Sequence, residues 1–375
     1  MSKLHDVYRL TITTLSPLHI GTGNRLLRDY DFVVHGGKTW VIDQGALAEM
    51  LYDAGGSGFD RMAAGAKASD LLRDADYDPA RPIFRYVMCG EPRAKASGSE
   101  IQEQIKDPWD RPYIPGSSLK GALRTALALV GWAQRRLKFE PSQLTDGRRE
   151  FAALPMERRV LNKDGISPWR APNHDLLRAL QVSDSAANEQ QQLNLSNVQV
   201  FTGDKPASPV ELETIPSETV FTAQLVLDGF LRKPKYASAL GWKEDQLKWL
   251  SHMPRVVNKF TETRIEDEHK RWRGDAFGMI RSFYADLARQ IKAVGEDEFI
   301  LQLGWGGGWD SKTFGAVLTE NAAAFKQVVD RYKLKRKGQY KRGEAFPRSR
   351  RLVVDSGGTP VRPLGWIRVK MEKAE

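Results

Sequence analysis

A glycine-dense segment near residue 310 carries the groups best suited to bind an anion. Residues 304–315 read Gly-Trp-Gly-Gly-Gly-Trp-Asp-Ser-Lys-Thr-Phe-Gly, and we call them the glycine loop. Backbone amides can approach a ligand closely at Gly306, Gly307 and Gly308 because glycine has no Cβ. The hydroxyl and ammonium groups that would meet phosphate oxygens belong to Ser311, Lys312 and Thr313. An alternative interpretation is that the glycines permit close packing, with Lys312 alone reaching a ligand.

Two familiar nucleotide-binding motifs do not fit the glycine loop. A Walker loop needs glycine immediately before Lys-Ser/Thr, but Ser311 stands there. The dinucleotide fingerprint fails at its third glycine, which is Trp309 here. The histidines show no metal-ligand spacing, and no Gly-x-Ser-x-Gly elbow occurs. We therefore expect no nucleotide hydrolysis, no metal site and no cofactor.

A second small-residue segment follows the first predicted strand. Apolar and polar residues alternate over residues 7–13, which predicts a half-buried β-strand. Residues 16–24 then read Ser-Pro-Leu-His-Ile-Gly-Thr-Gly-Asn, which predicts a loop whose backbone can approach a ligand. Its candidate contacts are His19, Gly21, Thr22, Gly23 and the cation Arg25 that follows.

A third candidate site begins a predicted helix. Leucines and alanines between residues 119 and 130 recur at helical spacing, and Ser117 or Ser118 is a natural N-cap. Lys120 and Arg124 lie four residues apart on another face. Free amides at a helix N-terminus attract anions, so this start is predicted to hold a phosphate. The alternative is a capped core helix whose two cations are merely solvated.

The remaining pattern predicts an α+β protein. Strands near residues 30–34 and 40–42 precede a helix that starts at Asp43, and further strands are predicted near 180–184, 193–201, 220–227, 299–303 and 363–371. After a linker at 231–235 the periodicity becomes helical. We predict two domains, 1–230 and 236–375, with insertions near 54–110 and 136–178.

Composition limits the partners and the compartment. A chain of 375 residues with a formal net charge of +10 is long enough for two cores, and its charge predicts a polyanionic partner. The run 331–342 interleaves aromatic and basic residues, which suits backbone phosphates and stacked bases. The single cysteine, Cys89, excludes an internal disulfide and favours the reducing cytoplasm. No apolar run approaches the roughly 18 residues of a membrane helix, so no membrane contact is expected.

Together these segments resemble the repeat-associated mysterious protein (RAMP) superfamily of CRISPR effector complexes. The resemblance rests on residues 15–23, on residues 113–124 and on the glycine loop, and the Pro-Leu-Gly-Trp sequence at 363–366 agrees with it. The first two motifs occur across the superfamily. The form of the glycine loop and the size of the chain resemble subunit five of the type III-A Csm complex.

The resemblance implies two ferredoxin-like, RRM-related domains and a non-catalytic role in antiviral defence. It implies a subunit that caps the 3′ end of the guide RNA (crRNA) in the backbone filament and assists guide maturation. The implied partners are crRNA, the neighbouring backbone RAMP subunit, a small helical subunit and target RNA. The backbone subunit that cuts target RNA uses an aspartate in an early loop, but Asp29 and Asp31 lie in the second strand region, so no catalytic residue is carried over.

Two other functions fit the sequence. One is an endoribonuclease of the same superfamily that processes repeat RNA, with His19 or His174 as the base. Metal-independent RNA cleavage needs little more than a well-placed His, Lys or Tyr, so a missing motif does not exclude it. The other is a stand-alone RNA-binding module, which would be a stable monomer without a partner interface.

Overall fold

Two β-sheets and the helices packed against them make up the part of the chain that the structure describes. The computed structural model describes residues 5–143, 148–163, 165–188, 193–335, 341 and 346–374. Helices and strands occur throughout these ranges, so the mixed α+β composition predicted from the sequence is confirmed. Half of the run 331–342 predicted to suit RNA, namely 336–340 and 342, lies outside the described residues.

The strands are, in chain order, β1 (His5–Thr14), β2 (Gly21–Leu27), β3 (Phe32–His35), β4 (Lys38–Ile42), β5 (Phe84–Cys89), β6 (Glu100–Gln104), β7 (Leu180–Val182), β8 (Asn194–Thr202), β9 (Lys205–Thr214), β10 (Val220–Asp228), β11 (Glu298–Gln302), β12 (Ser349–Val354), β13 (Pro360–Pro363) and β14 (Trp366–Lys373). The helices are α1 (Gln44–Asp53), α2 (Ser57–Ala63), α3 (Ala68–Leu71), α4 (Gly116–Gln134), α5 (Leu154–Leu161), α6 (Pro234–Leu240), α7 (Glu244–Ser251), α8 (Met253–Arg271), α9 (Gly278–Ala293), α10 (Gly315–Thr319) and α11 (Ala322–Arg331).

Five strands form an antiparallel sheet in the order β11, β14, β1, β10, β7. The alternation predicted for residues 7–13 is confirmed, because Leu10 and Ile12 are buried whereas Arg9 is exposed. Leu10 lies opposite Ala223 of β10 on one side and Met371 of β14 on the other. The division into 1–230 and 236–375 stays a prediction, and this sheet contains strands from both sides of it.

The larger sheet runs β2, β6, β9, β8, β5, β4, β3, and β12 and β13 continue from β8. The hairpin of β3 and β4 in this sheet is followed by α1, so the predicted two strands and helix are confirmed. Asp43 accepts a hydrogen bond from the Ala46 amide at 3.0 Å and so caps α1. The segment expected as an insertion at 54–110 contributes β5 and β6 to this sheet. Short strands between glycine-rich stretches show little periodicity, so the sequence did not predict them.

Helix α4 packs its apolar face into the core as predicted, and Leu119, Leu123 and Leu127 are buried. The predicted N-cap is wrong: Pro115 is the N-cap residue, and both serines lie in the first turn. Asp184 accepts a hydrogen bond from the Gly116 amide at 2.7 Å, so a carboxylate already lies at this helix start. A Cβ on Gly116 would lie 2.3 Å from the Val182 carbonyl oxygen, which shows how closely the helix start approaches β7.

Side chains of α8 cover the outer edge of β11, the strand that leads into the glycine loop. The Ile300 amide donates to Asn258 Oδ1 at 3.0 Å, and Asn258 Nδ2 donates to the Glu298 carbonyl at 2.9 Å. Thr261 Oγ1 donates to the Ile300 carbonyl at 2.7 Å. These contacts satisfy backbone groups at a sheet edge and hold β11 against α8.

A buried network of ion pairs ties the glycine loop to α8 and β12. Arg350 of β12 contacts both Asp310 of the glycine loop and Glu268 of α8, each at 2.6 Å. Arg264 contacts Glu268 at 3.3 Å and lies 3.9 Å from Asp310. The side chains of Arg350 and Asp310 are only 8% and 13% exposed. Each charge in such a buried cluster depends on its partner, because water cannot replace it.

We predict that Asp310→Ala lowers the free energy of unfolding by about 3 kcal/mol, because it leaves the Arg350 guanidinium buried without one of its two carboxylates. Chemical denaturation of the purified chain measures this change. Asp286→Ala is the matched control, since the Asp286–Arg289 pair is exposed and its removal should cost less than about 1 kcal/mol. Equal losses in the two variants would contradict the role assigned to the network.

Candidate nucleic-acid interface

The three segments singled out in the sequence line one cleft of about 570 Å³. The beginning of β2 and the residues before it form one wall, the first turns of α4 form a second, and the glycine loop forms a third. The predicted site residues that line it are His19, Gly21, Gly23, Ser117, Ser118, Ser311 and Lys312. Segments nearly 300 residues apart in the sequence thus share one cavity.

Backbone hydrogen bonds hold the cleft walls together. The Trp305 amide donates to the His19 carbonyl at 2.8 Å, and the Gly365 amide donates to the Pro17 carbonyl at 2.9 Å. The Leu303 amide donates to the Gly365 carbonyl at 2.7 Å. We call these three hydrogen bonds the backbone junction. It joins residues 17–19 both to the glycine loop and to the turn before β14.

Glycine is required at Gly304 by both conformation and space. Its φ of +75° lies in the region that side chains disfavour, and a Cβ there would lie 2.3 Å from the His19 carbonyl oxygen. Gly365 has a φ of +82°, and a Cβ on it would lie 2.0 Å from the Leu303 carbonyl oxygen. Both glycines therefore permit the close approach on which the backbone junction depends.

The other predicted glycine contacts lie outside the cleft lining. A Cβ on Gly306 would lie 2.2 Å from Leu364 Cβ, and one on Gly307 would lie 3.1 Å from Ser311 Cβ. Gly308 has a φ of +68°, with nothing within 4 Å of the position of a Cβ. The alternative interpretation from the sequence, close packing, therefore describes Gly306 well. A direct RNA contact by these three glycines stays a prediction.

The two hydroxyls of the glycine loop make intramolecular hydrogen bonds. Ser311 is buried, and its Oγ donates to Gln302 Oε1 at 2.8 Å. Thr313 Oγ1 donates to the Trp309 carbonyl at 2.8 Å and accepts from the Gly315 amide at 3.1 Å. Ser311 borders the cleft, whereas Thr313 closes a turn beside α10. Their predicted role in binding phosphate is untested.

Two cations adjoin the cleft without an ion-pair partner among the described residues. Lys312 lines it, and Arg351 of β12 lies over the Trp305 ring with its guanidinium carbon 4.3 Å from the ring centroid. Partial burial and the charge of Arg351 lower the pKa of Lys312. Burial and the charge of Arg350 likewise lower the pKa of Arg351. A bound anion would relieve both effects, so this corner of the cleft favours negative charge.

His19 lies at the floor of the cleft as a neutral imidazole. Its Nδ1 is 2.7 Å from the Glu213 carbonyl oxygen and must donate to it, because a carbonyl only accepts. Nε2 has no hydrogen-bond partner among the described residues. Burial, with the charge of Lys106 adding to it, lowers the pKa of His19 to about 4. Lys106 in turn pairs with the buried Glu213 carboxylate at 2.6 Å.

The loop predicted around Gly21 is wrong, because residues 21–27 form β2 with an irregular register against β6. The small residues that follow His19 are typical of a turn, but their backbone belongs to β2, which pairs with β6. Thr22 Oγ1 donates to Glu103 at 3.2 Å, and Arg25 pairs with Glu100, so both side chains contact β6. Neither lines the cleft.

The cations predicted on α4 point away from the cleft. Lys120 Nζ donates to the Leu180 carbonyl at 2.7 Å, and burial lowers the pKa of Lys120. Arg124 pairs with Glu157 at 2.7 Å and with Asp175 at 2.8 Å. Both cations thus connect α4 to neighbouring elements, and their predicted phosphate contacts stay untested. The helix face toward the cleft presents Ser117, Ser118 and small residues instead.

Sequence reasoning missed Arg351 and Trp305 as parts of this site. Two arginines precede the apolar residues of β12, and strand alternation places them on opposite faces. One of them, Arg350, joins the buried ion network, and Arg351 reaches Trp305. The alternation in this short strand was the available signal. Metal ligation has no support here, since the described residues contain no cluster of His, Cys, Asp and Glu fit to hold an ion.

One family model matches most of the chain. The model of the RAMP superfamily matches residues 11–309. The chain belongs to the RAMP superfamily. Over 337 residues it is 26% identical to the CRISPR system Cms protein Csm5 of Mycobacterium tuberculosis, strain H37Rv, and the alignment covers 82% of this chain and 83% of that protein. The protein of the same name from Methanocaldococcus jannaschii is 23% identical over 388 residues. That alignment covers 95% of this chain and 87% of the relative.

Two solved structures share the fold. A chain in the cryo-EM structure of a Csm-crRNA-target RNA ternary complex of a type III-A CRISPR-Cas system is 26% identical, with a TM-score of 0.68 over 97% of this chain and 100% of that chain. The crystal structure of T. onnurineus Csm5 has a TM-score of 0.63 at 21% identity, over 95% of this chain and 99% of that chain. The predicted resemblance to the superfamily and to subunit five of the Csm complex is confirmed. Among the described helices, none has the length and apolarity needed to cross a bilayer.

We predict that Gly304→Ala destabilises the protein more than Gly308→Ala does. Both glycines have similar backbone angles, so alanine meets a similar conformational strain of about 1–3 kcal/mol at each. Only at Gly304 does the new methyl group overlap a backbone carbonyl. Thermal or chemical denaturation of the two variants measures the difference, which should exceed about 1 kcal/mol. Equal stability of the two variants would show that the backbone junction is not tight.

We also predict that acidification destabilises the protein through His19. The unfolded chain takes up a proton near the ordinary histidine pKa of 6.5, whereas folded His19 does so only near 4. The stability contributed by neutral His19 is therefore present above pH 6.5 and is lost as the pH falls toward 4, by about 2 kcal/mol between about pH 6.5 and pH 5. His19→Asn keeps a donor for the Glu213 carbonyl but does not titrate.

Denaturation at several pH values in this window should therefore show a weaker pH dependence for His19→Asn than for the unmodified chain. His252→Asn serves as the control because His252 is an exposed histidine, and it should follow the unmodified chain. An unchanged slope in His19→Asn would contradict the neutral, buried state of His19.

Proposed function

We propose that this RAMP protein is a non-catalytic, crRNA-binding subunit of a type III-A CRISPR effector complex. The observation that carries the proposal is the convergence of the three motif segments on one cleft, which two cations without an ion-pair partner in the described part of the chain adjoin. Its similarity to proteins named Csm5, and to a chain in a Csm-crRNA-target RNA complex, supports it. A net charge of +10 fits an RNA partner.

The finer features of the proposal come from the same resemblance. The subunit would cap the 3′ end of the crRNA in the backbone filament and assist guide maturation. Its partners would be crRNA, a backbone RAMP subunit, a small helical subunit and target RNA. The antiparallel five-stranded sheet with helices packed on it is compatible with two ferredoxin-like, RRM-related domains.

Phosphate-directed binding suits this role. Lys312 and Arg351 recognise charge and not base identity, and the neutral wall of α4 adds small polar groups. A subunit that serves guides of many sequences needs such contacts, because base-specific ones would restrict the guides it accepts.

The alternative function is a RAMP endoribonuclease, and one observation favours it. His19, whose Nε2 has no hydrogen-bond partner among the described residues, lines the same cleft as Lys312, and metal-independent RNA cleavage could use these two groups. A pKa of about 4 makes His19 a weak base, so we favour binding over cleavage. His174 donates from Nδ1 to the Leu240 carbonyl at 2.9 Å, and it does not line the cleft.

The proposed function is tested with a tagged chain expressed together with the other subunits of a type III-A CRISPR effector complex and a repeat array. We expect crRNA and other effector subunits to copurify with the unmodified chain. The double variant Lys312→Gln, Arg351→Gln should retain less crRNA, because it lacks two phosphate contacts. In binding assays with the isolated chain, the salt dependence of log Kobs should weaken by about 1.4, since each single-strand phosphate contact contributes about 0.7.

The matched control is the double variant Arg289→Gln, Lys292→Gln, which removes the same charge from exposed positions on α9. It should retain crRNA like the unmodified chain. Full crRNA retention by the cleft variant would contradict the site, and absence of both RNA and partner subunits from the unmodified chain would contradict the function. Cleavage of repeat RNA in EDTA would favour the endoribonuclease.

A further inference from the structure

We propose that His19 accepts a hydrogen bond from a ribose 2′-hydroxyl, so that the cleft distinguishes RNA from DNA. The proposal rests on the proposed function, because it names the group of the nucleic acid that this cleft recognises. It is carried by a buried side-chain nitrogen, Nε2 of the cleft-lining His19, for which the described part of the chain offers no hydrogen-bond partner.

The free nitrogen of His19 can act only as an acceptor. Nδ1 lies 2.7 Å from the Glu213 carbonyl oxygen, so the ring proton is on Nδ1 and Nε2 keeps a lone pair. His19 is 1% exposed, and Nε2 has no partner among the described residues. Buried polar atoms in folded proteins nearly always have a hydrogen-bond partner, so an orphaned atom in a cleft wall points to a ligand that supplies one.

The missing partner must be a hydrogen-bond donor. A phosphodiester carries no proton at neutral pH, so the groups that Lys312 and Arg351 attract cannot pair with Nε2. The ribose 2′-hydroxyl can donate, it lies beside the phosphate along the chain, and DNA lacks it. A cleft with cations at one corner and a neutral acceptor on its floor therefore matches the ribose-phosphate backbone of RNA better than that of DNA.

Gly21 and Trp305 shape the surroundings of this acceptor. A Cβ on Gly21 would lie 2.9 Å from Nε2, so any other residue would cover the atom. The Trp305 ring stands edge-on to the imidazole, with the two centroids 6.4 Å apart at an interplanar angle of 89°. The Trp305 amide also donates to the His19 carbonyl. The imidazole is thus held from its backbone, its Nδ1 and one ring edge.

The first test uses the unmodified full chain and three uridine oligonucleotides of equal length, with 2′-hydroxyl, 2′-hydrogen or 2′-fluorine. We expect the 2′-hydroxyl form to bind on the order of tenfold more tightly than the other two, because neither of them can donate to Nε2. Equal affinity for all three would overturn the proposal and leave the proposed function intact. Failure to bind any of them would contradict both.

The second test compares His19→Asn with Lys312→Gln in the same assay. His19→Asn should weaken binding of the 2′-hydroxyl form alone and bring the affinity ratio close to one. Lys312→Gln should weaken all three forms by a similar factor, because phosphates are common to them. Loss of affinity for all forms in His19→Asn, with an unchanged ratio, would assign His19 a structural role and overturn the proposal. Cytidine oligonucleotides with the same three sugars should give the same ratio of affinities between the 2′-hydroxyl form and the other two forms. A ratio that changes with the base would also overturn the proposal.

Discussion

The cleft depends on contacts made by the backbone and not by side chains. The backbone junction links the segment after β1 to the glycine loop and to the turn before β14. Its bonds can form only if residues 304 and 365 lack a Cβ, since a side chain on either would overlap a carbonyl oxygen. Gly304 of the glycine loop and Gly365 are thus needed to bring the motif segments together, whereas the ligand contacts predicted at Gly306, Gly307 and Gly308 stay predictions. The proposed binding residue Lys312 takes its position in the cleft lining from that arrangement.

A buried charge network supports the same loop from behind. Asp310 directly precedes Ser311 and Lys312, and its carboxylate is held by Arg350. The next residue of β12, Arg351, lies over Trp305. Strand alternation therefore sends one arginine into the core and its neighbour toward the cleft. The pairing of the buried Arg350 fixes the position of the half-buried Arg351. The stability of the glycine loop and the charge beside the cleft therefore depend on the same strand.

The sequence was sufficient to identify the segments of the site but not the atoms that face it. Glycine density, helical spacing and alternation marked the glycine loop, α4 and β1, because these patterns arise from local geometry. The partners of individual side chains do not follow from local geometry. Lys120 bonds to a carbonyl of β7 and Arg124 to two acids beyond α4, and no local pattern contains those contacts. Likewise, Asp184 at the start of α4 comes from a segment nearly 70 residues later.

The pairing of β1 with β14 has a consequence for biosynthesis. On a ribosome, β1 and β10 emerge well before residues 366–373, so the five-stranded sheet is incomplete until β14 has been translated. Until then the side of β1 that pairs with β14 is an unpaired strand edge, which other chains can bind. Such long-range pairing also slows folding, because a large loop must close first. A nascent chain of this topology therefore benefits from a chaperone or an early assembly partner that shields this edge.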